Sequence, residues 1–238
     1  MKKSIKDTYD ALAKAYEKEV DHSSPYNTDY ERPAMLAEVP GNLNEIRILD
    51  AGCAAGWYTA KLLELGAQVS AVDISPEMVK ATKKRVGSQV EVVCQDLTES
   101  LPWADQTFDL ILSSLTLHYI KDWQSALQEF KRVLKPGGSL LFSVHHPFMD
   151  FHKFEESEDY FSKQLLTDQW KKQGKTTTVS FYRRPLEDIV NQISQYFVID
   201  RLVEPQPIVA MKEKNKSAFD YLMTNPHFLI IKARRGMK

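Results

Sequence analysis

Three aspartates, Asp50, Asp73 and Asp96, fall 23 residues apart (50 to 73, 73 to 96), each at or just past the carboxyl end of a run that reads as a β-strand. In a parallel sheet those strand ends share one rim, and open α/β sheets bind their ligands at that rim. A lone acid there is ordinary, because strand-to-helix loops favour Asp for turns and caps. Three in register, with a loop of small residues after the first, argue for a shared ligand.

The surrounding pattern supplies such a sheet. EIRILD, QVSAVD, VEVVCQ, FDLILSS and SLLFSV are short apolar runs separated by helical segments, which predicts a parallel sheet covered on both faces. WYTAKLLELG reads as a helix ended by Gly66, and Ser75-Pro76-Glu77 as a helix start with an N-cap, a proline and an acid in the first turn. Asp122 is placed to cap the next helix, which KPGG then stops. Ahead of the sheet, Ile5, Tyr9, Leu12, Tyr16 and Val20 mark one face of a helix over about residues 5–20, and a short helix is expected over Arg32 to Glu38.

After Val144 the rhythm breaks. Residues 145–180 are rich in charges and aromatics, with one strand expected at TTTVSFY and a helix from Pro185 to about Ser194. FVIDRLVE and HFLIIKARR close the chain as two strands, with a helix near Ser217 to Met223 between them. So short a connection suits antiparallel pairing. The economical reading is one domain over 1–238, with a helical cap at about 1–42 and a lid-like insertion at about 145–182.

Composition mainly excludes. Lys and Arg number 31 against 32 Asp and Glu, so there is no electrostatic footprint for nucleic acid. The two cysteines, Cys53 and Cys94, have no CxxC spacing and suggest neither a disulfide framework nor a zinc site, and no metal site is read from the sequence. MKKSIKDTYD lacks the apolar run of a signal peptide, and no stretch approaches the roughly 20 apolar residues of a membrane span. A cytoplasmic protein without a nucleic-acid or membrane partner, monomeric or homodimeric, is expected.

The loop after the first strand is DAGCAAGW. Gly52, Ala54 and Gly56 let backbone approach a ligand, with a helix N-terminus behind. It lacks the GxGxxG order of a dinucleotide site and the Gly-Lys-Ser/Thr of a phosphate loop. The acid just before it suits a cationic ligand better than a pyrophosphate.

These residues resemble the class I S-adenosylmethionine-dependent methyltransferases, type 11 branch, from about Tyr9 to His146. ILDAGCAAG is similar to the first family motif, AVDISPEMV to the second, CQDLTESLPWADQTFDLILSS to the third and fourth, and VLKPGGSLLFSV to the fifth. YDALAKAY near the start is similar to the N-terminal FDxxAxxY element, and Ala54 replaces the central glycine of the usual first motif. The resemblance implies a Rossmann-like α/β three-layer sandwich with seven strands in the order 3-2-1-4-5-7-6. It implies S-adenosylmethionine as cofactor, with S-adenosylhomocysteine as product.

It also implies a cofactor-binding set. Asp50 and the Gly52 backbone would serve the methionine end, Ser113 would lie beside it, and Cys53 and Gly56 of the same loop belong to the set. Asp73 would accept from both ribose hydroxyls. Asp96 would accept from the adenine amino group, with the Leu97 N–H on a ring nitrogen. Ile74 and Met78 would flank the adenine, and Tyr16 would close over the cofactor.

Methyl transfer is an in-line displacement that alignment and desolvation alone accelerate. A base would help with a hydroxyl or a protonated amine, and His118 and His145 are the catalytic candidates, with His146 beside them; each has a structural alternative. The aromatic insertion reads either as a lid over an acceptor pocket or as a packing layer or dimer contact. Lys171-Lys172 and Arg183-Arg184 read either as recognition of an acidic substrate or as solvated surface. A small-molecule methyl acceptor is the leading reading of function. A non-catalytic S-adenosylmethionine-binding protein or partner subunit stays open, and an NAD-dependent dehydrogenase is disfavoured by the broken fingerprint.

Overall fold

The computed structural model describes residues 2–16, 24–154, 159–172 and 175–237. Helix α1 (Lys2–Ala15) opens the chain, followed by a π-helical turn (Asn27–Glu31) that runs directly into α2 (Arg32–Glu38). The expected first helix is thus present, with Tyr16 just past its end, whereas Val20 lies outside the described residues. Then β1 (Arg47–Ala51), α3 (Trp57–Glu64), β2 (Gln68–Asp73), α4 (Pro76–Val86), β3 (Glu91–Cys94) and β4 (Phe108–Ser113) alternate. Next come α5 (Gln124–Val133), β5 (Leu134–His145), α6 (Pro147–Lys153), the strands β6 (Gln164–Lys172) and β7 (Lys175–Arg183), and α7 (Leu186–Ser194). The last elements are β8 (Val198–Val203), α8 (Ala210–Lys214), α9 (Lys216–Leu222) and β9 (Phe228–Arg234).

Seven strands form one sheet in the order β3-β2-β1-β4-β5-β9-β8. The first five are parallel, and β9 runs antiparallel to both β5 and β8. FVIDRLVE therefore sits at the edge and HFLIIKARR inside it, as expected.

The continuous apolar strands are explained by the two faces they serve. Ile48, Leu110, Leu141 and Ile230 point to the layer of α2 and α3, and their neighbours Leu49, Ile111, Leu140 and Ile231 point to the layer of α5 and α7. Side chains alternate along a strand, so a strand covered on both sides needs apolar residues at every position. The Ser75 hydroxyl accepts from the Met78 N–H at 3.1 Å, which makes it the N-cap of α4.

Two expectations need correction. KPGG does not sit outside the sheet: it lies within β5, where the register with β4 shifts between Phe108 and Leu110 and Gly137 takes a left-handed φ of 76°. The extra residues bulge, and the strand resumes at Ser139. The insertion holds two strands, not one. β6 pairs with β7 from Gln164↔Arg183 to Lys172↔Lys175 as a hairpin outside the main sheet.

Candidate functional site

At the carboxyl rim, backbone bonds fix the loop after β1. The Gly52 and Cys53 N–H groups both donate to the Val72 carbonyl, at 2.8 and 3.0 Å. Ala54, with φ 48°, is held in the left-handed region. That conformation costs a residue with a Cβ about 1–2 kcal/mol. Its N–H donates to Asp73 Oδ2 at 2.9 Å, and its carbonyl accepts from Thr82 Oγ1 at 2.7 Å. Alanine therefore stands at the usual glycine position because both ends of its peptide frame are tied down. Gly52, at φ 85°, has no such latitude: a Cβ there would lie 2.2 Å from Thr116 Oγ1.

These elements surround a cavity of about 460 Å³. Asp50, Asp73 and Asp96 all line it, together with Gly52, Cys53, Ile74, Leu97 and Tyr16. The structure thus gathers eight of the eleven expected cofactor residues on one wall system. The other three stand behind it. Gly56 forms the N-cap of α3 with φ 78°, Met78 is fully buried in a cluster with Leu12 and Ala55, and the Ser113 hydroxyl donates to the Ala51 carbonyl at 2.8 Å.

Burial sets the charge states. Asp50 is 1% exposed, and desolvation pushes its pKa to about 7, against a short bond from Thr59 Oγ1 at 2.6 Å. The neighbouring Asp73 raises it further. Asp73 itself is pushed by burial to about 6, although the Ser75 and Ala54 N–H groups each donate to it at 2.9 Å. Asp96 Oδ1 accepts from the Thr98 N–H and hydroxyl at 2.8 and 2.7 Å. Ionised carboxylates only accept hydrogen bonds, so these three side chains, once ionised, suit a ligand that presents N–H and O–H donors or positive charge to them.

The structure adds residues that the sequence did not single out. Asn27, Arg32, Trp57, Leu115, Thr116 and Tyr119 also line the cavity. The Arg32 guanidinium lies 4.0 Å from the centroid of the Trp57 ring. Behind Arg32, the fully buried Glu31 gathers three hydroxyls: Tyr58 at 2.8 Å, Ser114 at 2.8 Å and Ser143 at 2.6 Å. Burial raises the Glu31 pKa and these donors pull it back. The Ser143 hydroxyl in turn accepts from the N–H of Leu115, held at φ 47°. One carboxylate thereby ties the π-helical turn, α3, β5 and the segment after β4 around the cavity.

Neither candidate histidine lines this cavity. His118, 3% exposed, stacks on His145 with ring centroids 4.2 Å apart, and Phe181 of β7 packs edge-on against both. Desolvation holds the His118 pKa well below its usual value, with His145 and Arg184 adding to the effect. His145 Nδ1 lies 3.4 Å from Asp150 Oδ1, and His146 Nε2 lies 2.8 Å from Glu204.

The Arg183-Arg184 pair fares differently from either sequence reading. Arg183 and Arg184 are buried, and their guanidiniums donate to backbone carbonyls: Arg183 to Tyr160, Asp159 and Ser162, and Arg184 to Ile120 and Lys121. Arg183 closes the insertion on itself, and Arg184 fastens its end to the segment after β4. The side chains of Lys171 and Lys172 lie outside the described residues. Among the described residues, no helix is long and apolar enough to cross a membrane.

Residues 49–142 match the family model described as a methyltransferase domain. A malonyl-[acyl-carrier protein] O-methyltransferase of Buchnera aphidicola is 35% identical over 52% of this chain, and the chain spans about half, 54%, of that protein's length. An uncharacterized Haemophilus influenzae protein is 29% identical over 89% of each chain. The crystal structure of an S-adenosylmethionine dependent methyltransferase from Mesorhizobium loti superposes with a TM-score of 0.68 at 25% identity, covering 86% of this chain and 97% of that one.

Proposed function

We propose that this chain, which belongs to the class I S-adenosylmethionine-dependent methyltransferases, type 11 branch, transfers the cofactor's methyl group to a small-molecule acceptor by alignment, without a histidine base. The observation that carries this reading is the single cavity lined by all three rim aspartates. The three carboxylates fit S-adenosylmethionine, which offers an ammonium, two ribose hydroxyls and an amino group, and carries no phosphate.

When bound, the cofactor supplies an electrophilic methyl on a sulfonium. The chain's residues hold and orient it. Asp50 receives the ammonium, Asp73 the ribose hydroxyls, and Asp96 with the Leu97 N–H the adenine edge. Ile74 packs beside the base, Tyr16 covers it, and the Gly52–Cys53 backbone admits the methionine chain. Gly56, Met78 and Ser113 shape the wall from behind. The insertion and α1 form the acceptor side and exclude water.

The Asp50 role has a signature in pH. In the unfolded chain this carboxyl ionises near 3.8, and in the folded protein near 7. Between those values the folded protein holds a proton the unfolded chain has lost, so Asp50 favours the empty fold at low pH and weakens it as pH rises towards 7. A bound ammonium favours the ionised form. S-adenosylhomocysteine should therefore bind more tightly as pH climbs through 7 and should release a proton below it. Calorimetry in buffers of different ionisation heat measures that proton, and Asp50→Asn should remove the part released near pH 7, leaving only what Asp73 releases near pH 6. Proton uptake, or pH-independent affinity, would remove Asp50 from this role.

The reaction itself is tested with methyl-labelled S-adenosylmethionine and a metabolite extract, followed by identification of the labelled product. A second reading, O-methylation of a malonyl-[acyl-carrier protein], is favoured by the Buchnera relative, so that acceptor belongs in the same assay. With the acceptor in hand, His118→Gln and His145→Gln should keep fold, cofactor affinity and turnover, because both rings lie outside the cavity. A loss of about 10²–10⁴ in rate, with the acid limb of the pH profile gone, would restore a histidine base.

A further inference from the structure

Beside the main cavity, between α1 and the β6–β7 hairpin, lies a second chamber of about 190 Å³. Ile5, Tyr9 and Tyr119 line both, so a molecule in the chamber rests on the same residues that wall the cofactor cavity. The rest of its lining is Thr8, Leu165, Val179 and Ser180. Not one of these side chains is ionised at neutral pH: the polar groups are hydroxyls, and burial raises the pKa of both Tyr9 and Tyr119, keeping them protonated. The main cavity contrasts with this, since Asp50, Asp73, Asp96, Arg32 and Lys121 all line it.

We propose that this chamber receives the body of the methyl acceptor, and that this body is an uncharged apolar group, aryl or alkyl, with hydroxyl-type hydrogen bonding at most. The inference rests on the methyltransferase reading and adds the class of acceptor to it. A charged group entering the chamber would shed part of its water and, among the described residues, meet no counter-charge on the walls. A neutral ring or alkyl chain gains from the same walls, with Ile5, Leu165 and Val179 as apolar contacts and Thr8 and Ser180 as hydroxyl partners. Tyr9 and Tyr119, whose ring centroids are 5.3 Å apart in an edge-to-face pair, form the partition that the reactive end passes on its way to the sulfonium.

The test uses the full chain saturated with S-adenosylhomocysteine and two probes of matched shape, p-cresol and p-toluate, followed by saturation-transfer NMR at neutral pH. p-Cresol should give a signal, and p-toluate a signal at least about fivefold weaker. Leu165→Trp, at a half-exposed position on the chamber wall, should fill the space and remove the p-cresol signal while leaving S-adenosylhomocysteine affinity unchanged. Ser180→Tyr, from the neighbouring strand, should do the same and serves if the first variant folds poorly by circular dichroism. Equal signals from the two probes, or a p-cresol signal that survives both filled variants, would overturn the proposal. Absence of S-adenosylhomocysteine binding would instead defeat the methyltransferase reading. Cofactor binding with no p-cresol signal would defeat only the chamber.

Discussion

Gly52→Ala should bind S-adenosylhomocysteine on the order of 100-fold more weakly than the native chain, the largest loss expected from a single added methyl group. Two effects combine. The residue sits at φ 85°, where a Cβ is strained, and that Cβ would stand 2.2 Å from Thr116 Oγ1 and 2.4 Å from Thr116 Cγ2. The backbone must then shift, and the shift moves the N–H that Gly52 presents to the Val72 carbonyl, together with its neighbour on Cys53. The partner variant separates the two effects. Thr116→Gly removes the collision but not the strain, so the double variant should recover part of the loss, and calorimetry of the four proteins gives the coupling. Purely additive losses would mean that the contact with Thr116 does not control the loop.

Asp73→Ala should follow with a loss of about 1.5–3 kcal/mol in cofactor affinity, roughly 10- to 150-fold, from charge-assisted hydrogen bonds to the ribose. The structure adds a reason for the upper end of that range: the same carboxylate holds the Ala54 and Ser75 N–H groups, so its removal frees two loops at once. Asp73→Asn, which keeps one acceptor oxygen, should lose less. An Asp73→Ala chain that binds as well as the native one would exclude the ribose role.

How much of this was legible beforehand depends on the range of the interactions involved. The parallel sheet and the three rim acids could be read because strand periodicity and strand-end position are local properties of the chain. The N-cap at Ser75 was legible for the same reason. β6 was not: QLLTDQWKK mixes charges with apolar residues because the hairpin stands outside the sheet, where Asp168 pairs with Lys153 at 2.7 Å. Glu31 carried no local signal, since its partners Tyr58, Ser114 and Ser143 are brought to it only by the fold.

His118 and His145 lie where the rim was expected, but which way they face is decided by Phe181, a residue of the hairpin. Arg183 and Arg184 show the same limit. A basic pair reads as surface until the carbonyls that surround it are known. These contacts also make the insertion part of the core, since Phe181, Leu166 and Val179 pack in one buried cluster with Leu12 and Met78. Excising 145–182 would strip that cluster, so point substitutions in the chamber wall probe the acceptor side more cleanly than a linker replacement.

The most direct measurement is a pair of calorimetric titrations of the native chain, one with S-adenosylhomocysteine and one with NAD. Asp50, Asp73 and Asp96 present acceptors to donors and offer no cradle for a pyrophosphate, so S-adenosylhomocysteine should bind with one site per chain and NAD should give no heat of binding. A saturable NAD isotherm without binding of S-adenosylhomocysteine would contradict the assignment of this cavity to the methyl-donating cofactor.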